Sequence, residues 1–402
     1  MKDSATSILV AGTGPVGLIS ALGLARAGFA VHLAGPAIGE TDRRTTALML
    51  PALETLEGLG LGPAIKAASA PLEGMRIVDA TTRLIRSPVV TFRARELGEP
   101  HFGLNIANRD LNAELEKAVA AENGVTWHKS LVAQWRLSAD AAMAILADGT
   151  HLEGSLAVAA DGRLSPAREA AGISVSAHSL PQSALVLCFR HSRPHGSIST
   201  EFHTETGPFT QVPLPGDRSS LVWVVEPQEA KRLMALSNEE LSLSVEDRMQ
   251  SMLGRVTVED GRQVFPLTAS TPPRFARNRV ALVGEAAHIF PPIGAQGLNL
   301  GIRDARDLVE TAVKFQADPG CMEALAAYDA KRRPDILARS TAVNLLNRSL
   351  LSDLLPTQFV RSAGLSMLGT VAPLRALFMR EGLRPGSGLS RLFADLREQI
   401  RR

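Results

Sequence analysis

Three separated clusters in this chain have the residue types and spacing that ligand chemistry needs. The first is Gly12-Thr13-Gly14-Pro15-Val16-Gly17, which follows the apolar run Ser7 to Ala11 and opens a helical pattern that stops at Gly28. Glycines so placed make a tight turn and let the backbone approach a pyrophosphate, and the strand-then-helix context gives the pattern its meaning. The second, Asp161-Gly162-Arg163-Leu164-Ser165-Pro166-Ala167-Arg168, follows the apolar run Leu156 to Ala160. The third, Arg279 to Asp304, reads RVALVGEAAHIFPPIGAQGLNLGIRD. Val280 to Val283 predict a short buried strand, Gly284 breaks it, and Pro291 and Pro292 stiffen a loop. Leu298, Ile302, Ala305 and Leu308 then recur with helical spacing. A helix start rich in glycine offers free N–H groups and a positive dipole end to something electron-rich.

The elements that must position these clusters are legible in outline. A chain of 402 residues with 45% hydrophobic content is large enough for two lobes. A net charge of +2 argues against a dedicated nucleic-acid binder. Two cysteines, Cys188 and Cys321, exclude a disulfide framework and fit a reducing, cytoplasmic setting. The N-terminus lacks a signal-peptide layout, and no apolar run is long enough to span a bilayer. Strands are predicted at Ala30–Ala34, Met75–Asp79, Leu84–Val90, Gly103–Ala107, Val125–His128 and Leu156–Ala160, with a hairpin around Asp148-Gly149. A helix is predicted from Asn108 to about Glu122. From Leu185 to Ser270 strands separated by Pro, Gly and polar turns predominate, and the chain beyond the third cluster is helical. The strand Ala30–Ala34 ends in Gly35-Pro36, where an acid usually holds the adenosine ribose of a dinucleotide. His191, His195 and His203 lack the spacing and supporting cysteines of a metal site, so no metal is expected.

The third cluster resembles the second flavin motif of the class A flavoprotein monooxygenases, nearest the ubiquinone-biosynthesis hydroxylases that act on polyprenylated phenols. Glu285 replaces the usual Asp of that motif. Asp42-Arg43-Arg44-Thr45-Thr46-Ala47-Leu48 resembles the family's D-x-R-x-x-A-L segment, and residues 161–168 its D-G-x-x-S-x-x-R motif. The resemblance covers nearly the whole chain and is weakest at 180–260 and beyond 380. It implies an α/β fold: a Rossmann-like FAD-binding domain of the para-hydroxybenzoate hydroxylase type, a second β-sheet substrate domain and a helical C-terminal region. The boundaries it suggests are 1–75, 100–180 and 270–340 for the FAD domain, 76–99 and 181–269 for the substrate domain, and 341–402 for the helical region.

It further implies FAD held by Gly12, Gly14, Pro15, Gly17, Arg44, Arg109, Asp161 and Glu285. Asp42 belongs to the same loop as Arg44, and Arg168 braces the Asp161 loop. The N–H groups near Gly297, Leu298 and Asn299 would stabilise charge on the pyrimidine side of the flavin, and Pro292 would shield the reacting centre. His288 takes a structural role, Trp223 falls in the core, and no general base is identified. NADH or NADPH would supply electrons, and O2 one oxygen atom, to a lipophilic phenol. Residues 374–402 carry seven Arg against three acids, and Ser362 to Leu374 are uncharged. Peripheral contact with the inner face of a membrane, a biosynthetic complex and a homodimer are all left open. A halogenase is disfavoured because Trp127, Trp135 and Trp223 do not form its W-x-W-x-I-P element. A related flavoprotein acting on another aromatic compound, and a non-catalytic flavin-binding subunit, are the alternatives.

Overall fold

The computed structural model describes residues 6–39, 42–82, 86–292, 296–351, 366–368 and 370–383. The chain begins with β1 (Ser7–Ala11), α1 (Pro15–Arg26), β2 (Ala30–Ala34), β3 (Thr45–Met49), α2 (Leu50–Gly58), α3 (Gly62–Ala67) and β4 (Ser69–Pro71). Next come β5 (Gly74–Asp79), β6 (Val90–Arg93), β7 (Gly103–Ala107), α4 (Asn108–Ala120), β8 (Val125–His128) and β9 (Val132–Leu137). The middle holds β10 (Ala142–Leu146), β11 (His151–Gly154), β12 (Leu156–Ala159), α5 (Pro166–Ala170) and β13 (Ala177–His191). After it run β14 (Ile198–Thr204), β15 (Gly207–Leu214), β16 (Arg218–Val225), α6 (Pro227–Ala235), α7 (Asn238–Arg248) and β17 (Val256–Val258). The last are β18 (Gln263–Ser270), β19 (Ala276–Arg277), β20 (Val280–Leu282), α8 (Gln296–Lys314), α9 (Met322–Leu351) and α10 (Ala372–Leu383).

A six-stranded sheet has the order β19-β20-β12-β1-β2-β8. Strands β20, β12, β1, β2 and β8 are mutually parallel, so their carboxyl ends share one edge. Parallel strands are covered on both faces and read as continuous apolar runs; Ile8, Leu9, Val10 and Ala157 to Ala159 are accordingly buried. An eight-stranded sheet runs β17-β13-β16-β15-β14-β5-β6, with β18 also on β13. Two three-stranded sheets, β11-β10-β9 and β3-β7-β4, complete the set.

The predicted strand Leu84–Val90 is corrected: residues 83–85 lie outside the described set, 86–89 form no regular element, and the strand is Val90–Arg93. Val90 and Phe92 point inward there and pair with Ile77 and Met75. The D-x-R-x-x-A-L segment is also more than a loop, since Thr45–Met49 forms β3 against β7. Within the region read only as strands lie α6 and α7. Ser237 and Glu240 form a capping box at the start of α7, a pattern visible as Ser-x-x-Glu. Of the uncharged run 362–374, residues 362–365 and 369 lie outside the described set, as do 384–402 of the arginine-rich tail.

Candidate active site

The shared carboxyl edge of the parallel strands collects the first three motifs: β1 leads into Gly12, β12 into Asp161, and β20 into Gly284 and Glu285. Ligands of open α/β sheets bind outside this edge. The glycines divide by what surrounds them. A Cβ on Gly12, whose φ is +107°, would stand 2.2 Å from the Ala160 carbonyl oxygen, and one on Gly17 2.0 Å from that of Gly12. These two let backbone meet backbone. A Cβ on Gly14 or Gly297 would meet nothing within 4 Å. Gly14 caps α1 with no side-chain hydrogen bond, and Pro15 follows it. The start of α1 is thus an open helix N-terminus with no protein group laid over Gly14, which suits a pyrophosphate.

The acids near this edge differ in state. Asp161 Oδ2 accepts from the Ala167 N–H at 3.1 Å, while its Oδ1 is buried with no partner. Burial pushes its carboxyl above the usual range, against hydrogen bonds from Ser165 and Ala167. Glu285 is half exposed and accepts from Arg163 Nε at 3.2 Å. Arg44 feels the Glu285 charge and grips Asp42 through Nε at 2.9 Å and Nη2 at 2.8 Å. Burial raises the Asp42 carboxyl, but the bonds from Arg44 and Asn108 outweigh it and hold the group low. Arg44, Asp161 and Glu285 therefore gather on one side of the molecule. Arg109 lies beside this group, on a cleft that Asp42 also lines. It donates to its neighbour Asp110 at 3.2 Å and lines that cleft, of about 90 Å³, with Arg43, Cys188, Arg218 and Glu259. None of the three motif segments lines that cleft.

Asn299 does work that sequence reasoning missed. Its Oδ1 accepts from the Met49 N–H at 2.8 Å and its Nδ2 donates to the Ala47 carbonyl at 2.7 Å. The first turn of α8 is thereby tied to β3. His288 takes the structural role expected of it. Its Nε2 lies 2.7 Å from Asp304 Oδ2, which also accepts from the Gly284 N–H at 3.0 Å. Arg332 donates to Asp304 at 2.8 Å and to Asp307 at 2.8 Å, closing a buried network under the flavin motif. Arg168 donates to the carbonyls of Ala286 and Arg163 at 2.9 and 2.8 Å, joining the second and third motifs. Pro291 is buried and Pro292 half-buried, just before residues 293–295, which lie outside the described set. At the end of β2 the Gly35 carbonyl accepts from Trp127 Nε1 at 2.9 Å, and Thr13 Oγ1 donates to the Pro36 carbonyl at 2.6 Å. Glu116 of α4 also reaches this loop and takes the Ile38 N–H at 2.6 Å.

The eight-stranded sheet supplies a wall. One face packs Leu185, Phe189, Phe202, Phe209, Leu221 and Trp223 into a buried core with α6 and α7. The opposite face holds a register row of Val186, Val222, Thr210, Glu201 and Ile77. Four of these five are half-exposed, Val186 being buried. Strand β3 lies against this second face, with Thr45 Oγ1 at 2.7 Å from Ser220 Oγ. Of the three histidines considered for a metal, His191 meets Ser219 and His203 meets Glu201. Among the described residues no three His, Cys, Asp or Glu gather as a metal site would need.

Comparison with known proteins follows this geometry. Residues 5–340 match the FAD binding domain family. The chain is 33% identical to ubiquinone hydroxylase UbiL of Rhodospirillum rubrum, over 95% of this chain and 90% of that one. It is 30% identical to the 3-demethoxyubiquinol 3-hydroxylase of Escherichia coli, over 97% of this chain and 100% of that one. The chain belongs to the FAD-binding ubiquinone hydroxylases.

Solved structures agree on the fold of this hydroxylase family member. Pseudomonas putida p-nitrophenol 4-monooxygenase superposes with a TM-score of 0.77 at 19% identity, covering 96% of this chain and 98% of that one. Klebsiella pneumoniae HpxO, solved with FAD and uric acid, gives 0.75 at 18% identity, covering 95% and 97%. The expected α/β flavin monooxygenase fold and the FAD cofactor are therefore established for the chain. The open space over Gly14 and the orphaned Asp161 Oδ1 fit that cofactor.

Proposed function

We propose that the chain hydroxylates the aromatic ring of a polyprenylated phenol on the route to ubiquinone, taking electrons from NADH or NADPH and one oxygen atom from O2. FAD, when bound, supplies the redox chemistry that activates oxygen. The protein's part is to bind, orient and exclude water. In this reading Gly12, Gly14, Pro15 and Gly17 admit the pyrophosphate at the start of α1, and Asp161 and Glu285 accept hydrogen bonds from the cofactor. Arg44 balances its charge. Arg109 joins them on leaving Asp110, an exposed pair of little strength. The N–H groups of Gly297, Leu298 and Asn299 meet developing negative charge at the start of α8, and Pro292 shields the reacting centre. Residues 1–75, 100–180 and 270–340 would form the FAD unit, 76–99 and 181–269 the substrate unit, and 341–402 the helical region.

The observation that carries the reading is a row on the large sheet in which Val186, Val222 and Ile77 flank Thr210 and Glu201, on the face toward β3, which Asn299 ties to the flavin motif. A lipophilic ring needs such a wall. Supplying the purified protein with FAD, NAD(P)H and prenylated phenols, and following product mass, tests it. Gain of one oxygen atom is expected; NAD(P)H oxidation without any oxygenated product overturns it.

The same reading places the protein in the cytoplasm at a membrane surface, where such substrates reside. Among the described residues no helix is long and apolar enough to cross a membrane. One side of α10 docks: Met379 is buried and Arg375 lies 4.7 Å over the Phe92 ring. Met367, Val371 and Phe378, four and seven residues apart, stay exposed. Flotation with anionic vesicles at low salt is expected to carry the protein upward. Sedimentation as a homodimer without flotation assigns the stripe to a second copy.

A further inference from the structure

The wall described above contains one ionisable pair with no assigned task. In the row Val186, Val222, Thr210, Glu201 and Ile77, Glu201 is the single charged member. His203, two residues along β14, is on the same face; its Nε2 lies 2.9 Å from Glu201 Oε1, and Thr210 Oγ1 donates to Oε2 at 3.3 Å. The side chains keep 19% and 5% exposure, so the carboxylate is reachable while the imidazole behind it is not. An ionised carboxylate has about four acceptor sites, and two partners leave room for another donor.

The topology fixes what this carboxylate faces. Thr45, at one end of β3, bonds Ser220 on β16; Met49, at the other end, packs with Ile77 of β5 against one apolar cluster. The strands between β16 and β5 are β15 and β14, which bear Thr210 and Glu201. Glu201 is therefore on the face of the sheet to which β3 is bonded, and β3 is held to the start of α8 by Asn299. Among the described residues the charged group in register with His203 is Asp79, already engaged by Thr81 and Ser87. β3, β4, β7 and β15 add no charge, Arg375 of α10 is held by Glu96, and on α9, which also packs on β15, Arg332, Arg333 and Arg339 are held by Asp304, Asp329 and Asp335.

We propose that Glu201 is the proton acceptor for the ring hydroxyl of the phenol, with His203 as its positioning residue. The assignment rests on the phenol-hydroxylase reading above. The phenolic O–H bond breaks, its electron pair stays on the ring oxygen, and the proton forms a new O–H bond on Glu201. The negative charge passes from carboxylate to phenolate, the net charge of the site is unchanged, and the ring becomes a better electron donor. His203 keeps the carboxylate turned toward the row.

The test uses the FAD-loaded enzyme and a short-chain prenylated phenol as probe, with hydroxylated product and ultraviolet difference spectra of the bound phenol followed against pH. Glu201→Gln is expected to keep its FAD and still bind the probe as neutral phenol, while product formation falls about 10²–10⁴-fold at neutral pH. Its rate should then recover about tenfold per pH unit as solvent takes over the deprotonation. Glu201→Asp should retain an intermediate rate, and His203→Gln should displace the pH limb with a smaller loss. A Glu201→Gln enzyme with wild-type rate and pH profile overturns the assignment, and so does a loss of the same size at every pH, which is what a structural pair predicts. If Glu201→Gln does not fold, Glu201→Asp and His203→Gln decide: a wild-type rate in the first together with a wild-type pH limb in the second overturns it. A wild-type enzyme that forms no product from the probe overturns the phenol-hydroxylase reading itself.

Discussion

The two faces of the eight-stranded sheet are built from the same strands and differ in purpose. On the face toward α6 and α7, Phe209 packs edge-on to Trp223 and Phe202 with ring centroids 5.1 and 5.7 Å apart. The residues one step along each strand form the opposite face, where Val222, Thr210 and Glu201 are half-exposed while Val224, Ser220 and His203 are buried. Alternation in a strand is usually read as core against water. Here part of the second face is turned toward β3, and in the proposed reading its half-exposed residues meet the substrate. The glycines make the same distinction, since Gly12 and Gly17 abut backbone while Gly14 and Gly297 abut open space.

This comparison can be broken most severely at the glycines. Gly14→Val should give a folded protein without flavin, because no protein atom obstructs the side chain but the pyrophosphate would. Stoichiometric FAD in that variant refutes the cradle. Gly17→Val should fail to fold, given the 2.0 Å approach to the Gly12 carbonyl. The sheet gives the next largest contrast. Phe209→Ala should cost about 3–5 kcal/mol in denaturant unfolding, whereas Val222→Ala should cost less than about 1.5 kcal/mol and alter substrate KM instead. Equal losses in stability would erase the distinction between the faces. The acids extend it. Asp304→Asn disturbs a buried network with Arg332 and His288 and should destabilise the fold by about 3–5 kcal/mol. Glu285→Ala should leave the fold intact, since its pair with Arg163 is half exposed. It should weaken FAD binding by about 1.5–3 kcal/mol, roughly ten- to a hundredfold in a flavin titration, with Glu285→Asp restoring much of it.

The smallest effect concerns Asp161. Burial raises its carboxyl in the folded, FAD-free protein, so the folded state holds a proton the unfolded chain has released. The destabilisation this causes is absent below the unfolded value and develops as pH rises through the folded one. Asp161→Asn should therefore raise the neutral-pH Tm of the FAD-free protein slightly and flatten its pH dependence. An unchanged Tm profile would mean that the orphaned oxygen costs nothing.

Most of the parallel sheet was legible because buried parallel strands announce themselves as short apolar runs; β1, β2 and β8 begin and end where the pattern puts them, as does β7 of the β3-β7-β4 sheet. The motifs placed Gly14, Asp161 and Glu285 near one edge for the same reason. Strand β3 was not legible, because Thr45 to Met49 is a short edge segment whose place depends on Asn299, some 250 residues away. The acceptor capacity of Glu201 was equally hidden: no motif surrounds it, and only sheet register shows which residues share its face. The histidines drew notice as metal ligands, while the meaning of His203 lies in the carboxylate beside it.

That long reach from Asn299 to Ala47 and Met49 also bears on how the molecule comes into being. Chains emerge from the ribosome N-terminus first, and domains fold as their parts appear. The six-stranded sheet has β1 near its centre but waits for β12 and then for β20, and β3, which pairs early with β7, gains its tie to α8 only when the first turn of that helix has been made. Pairings of such sequence separation form slowly, because loop closure precedes any reward. A nascent chain stopped before α8 would carry the glycine turn and a β3 paired with β7 but lacking its tie to Asn299, leaving the neighbouring face of the large sheet open to chaperones and to other chains.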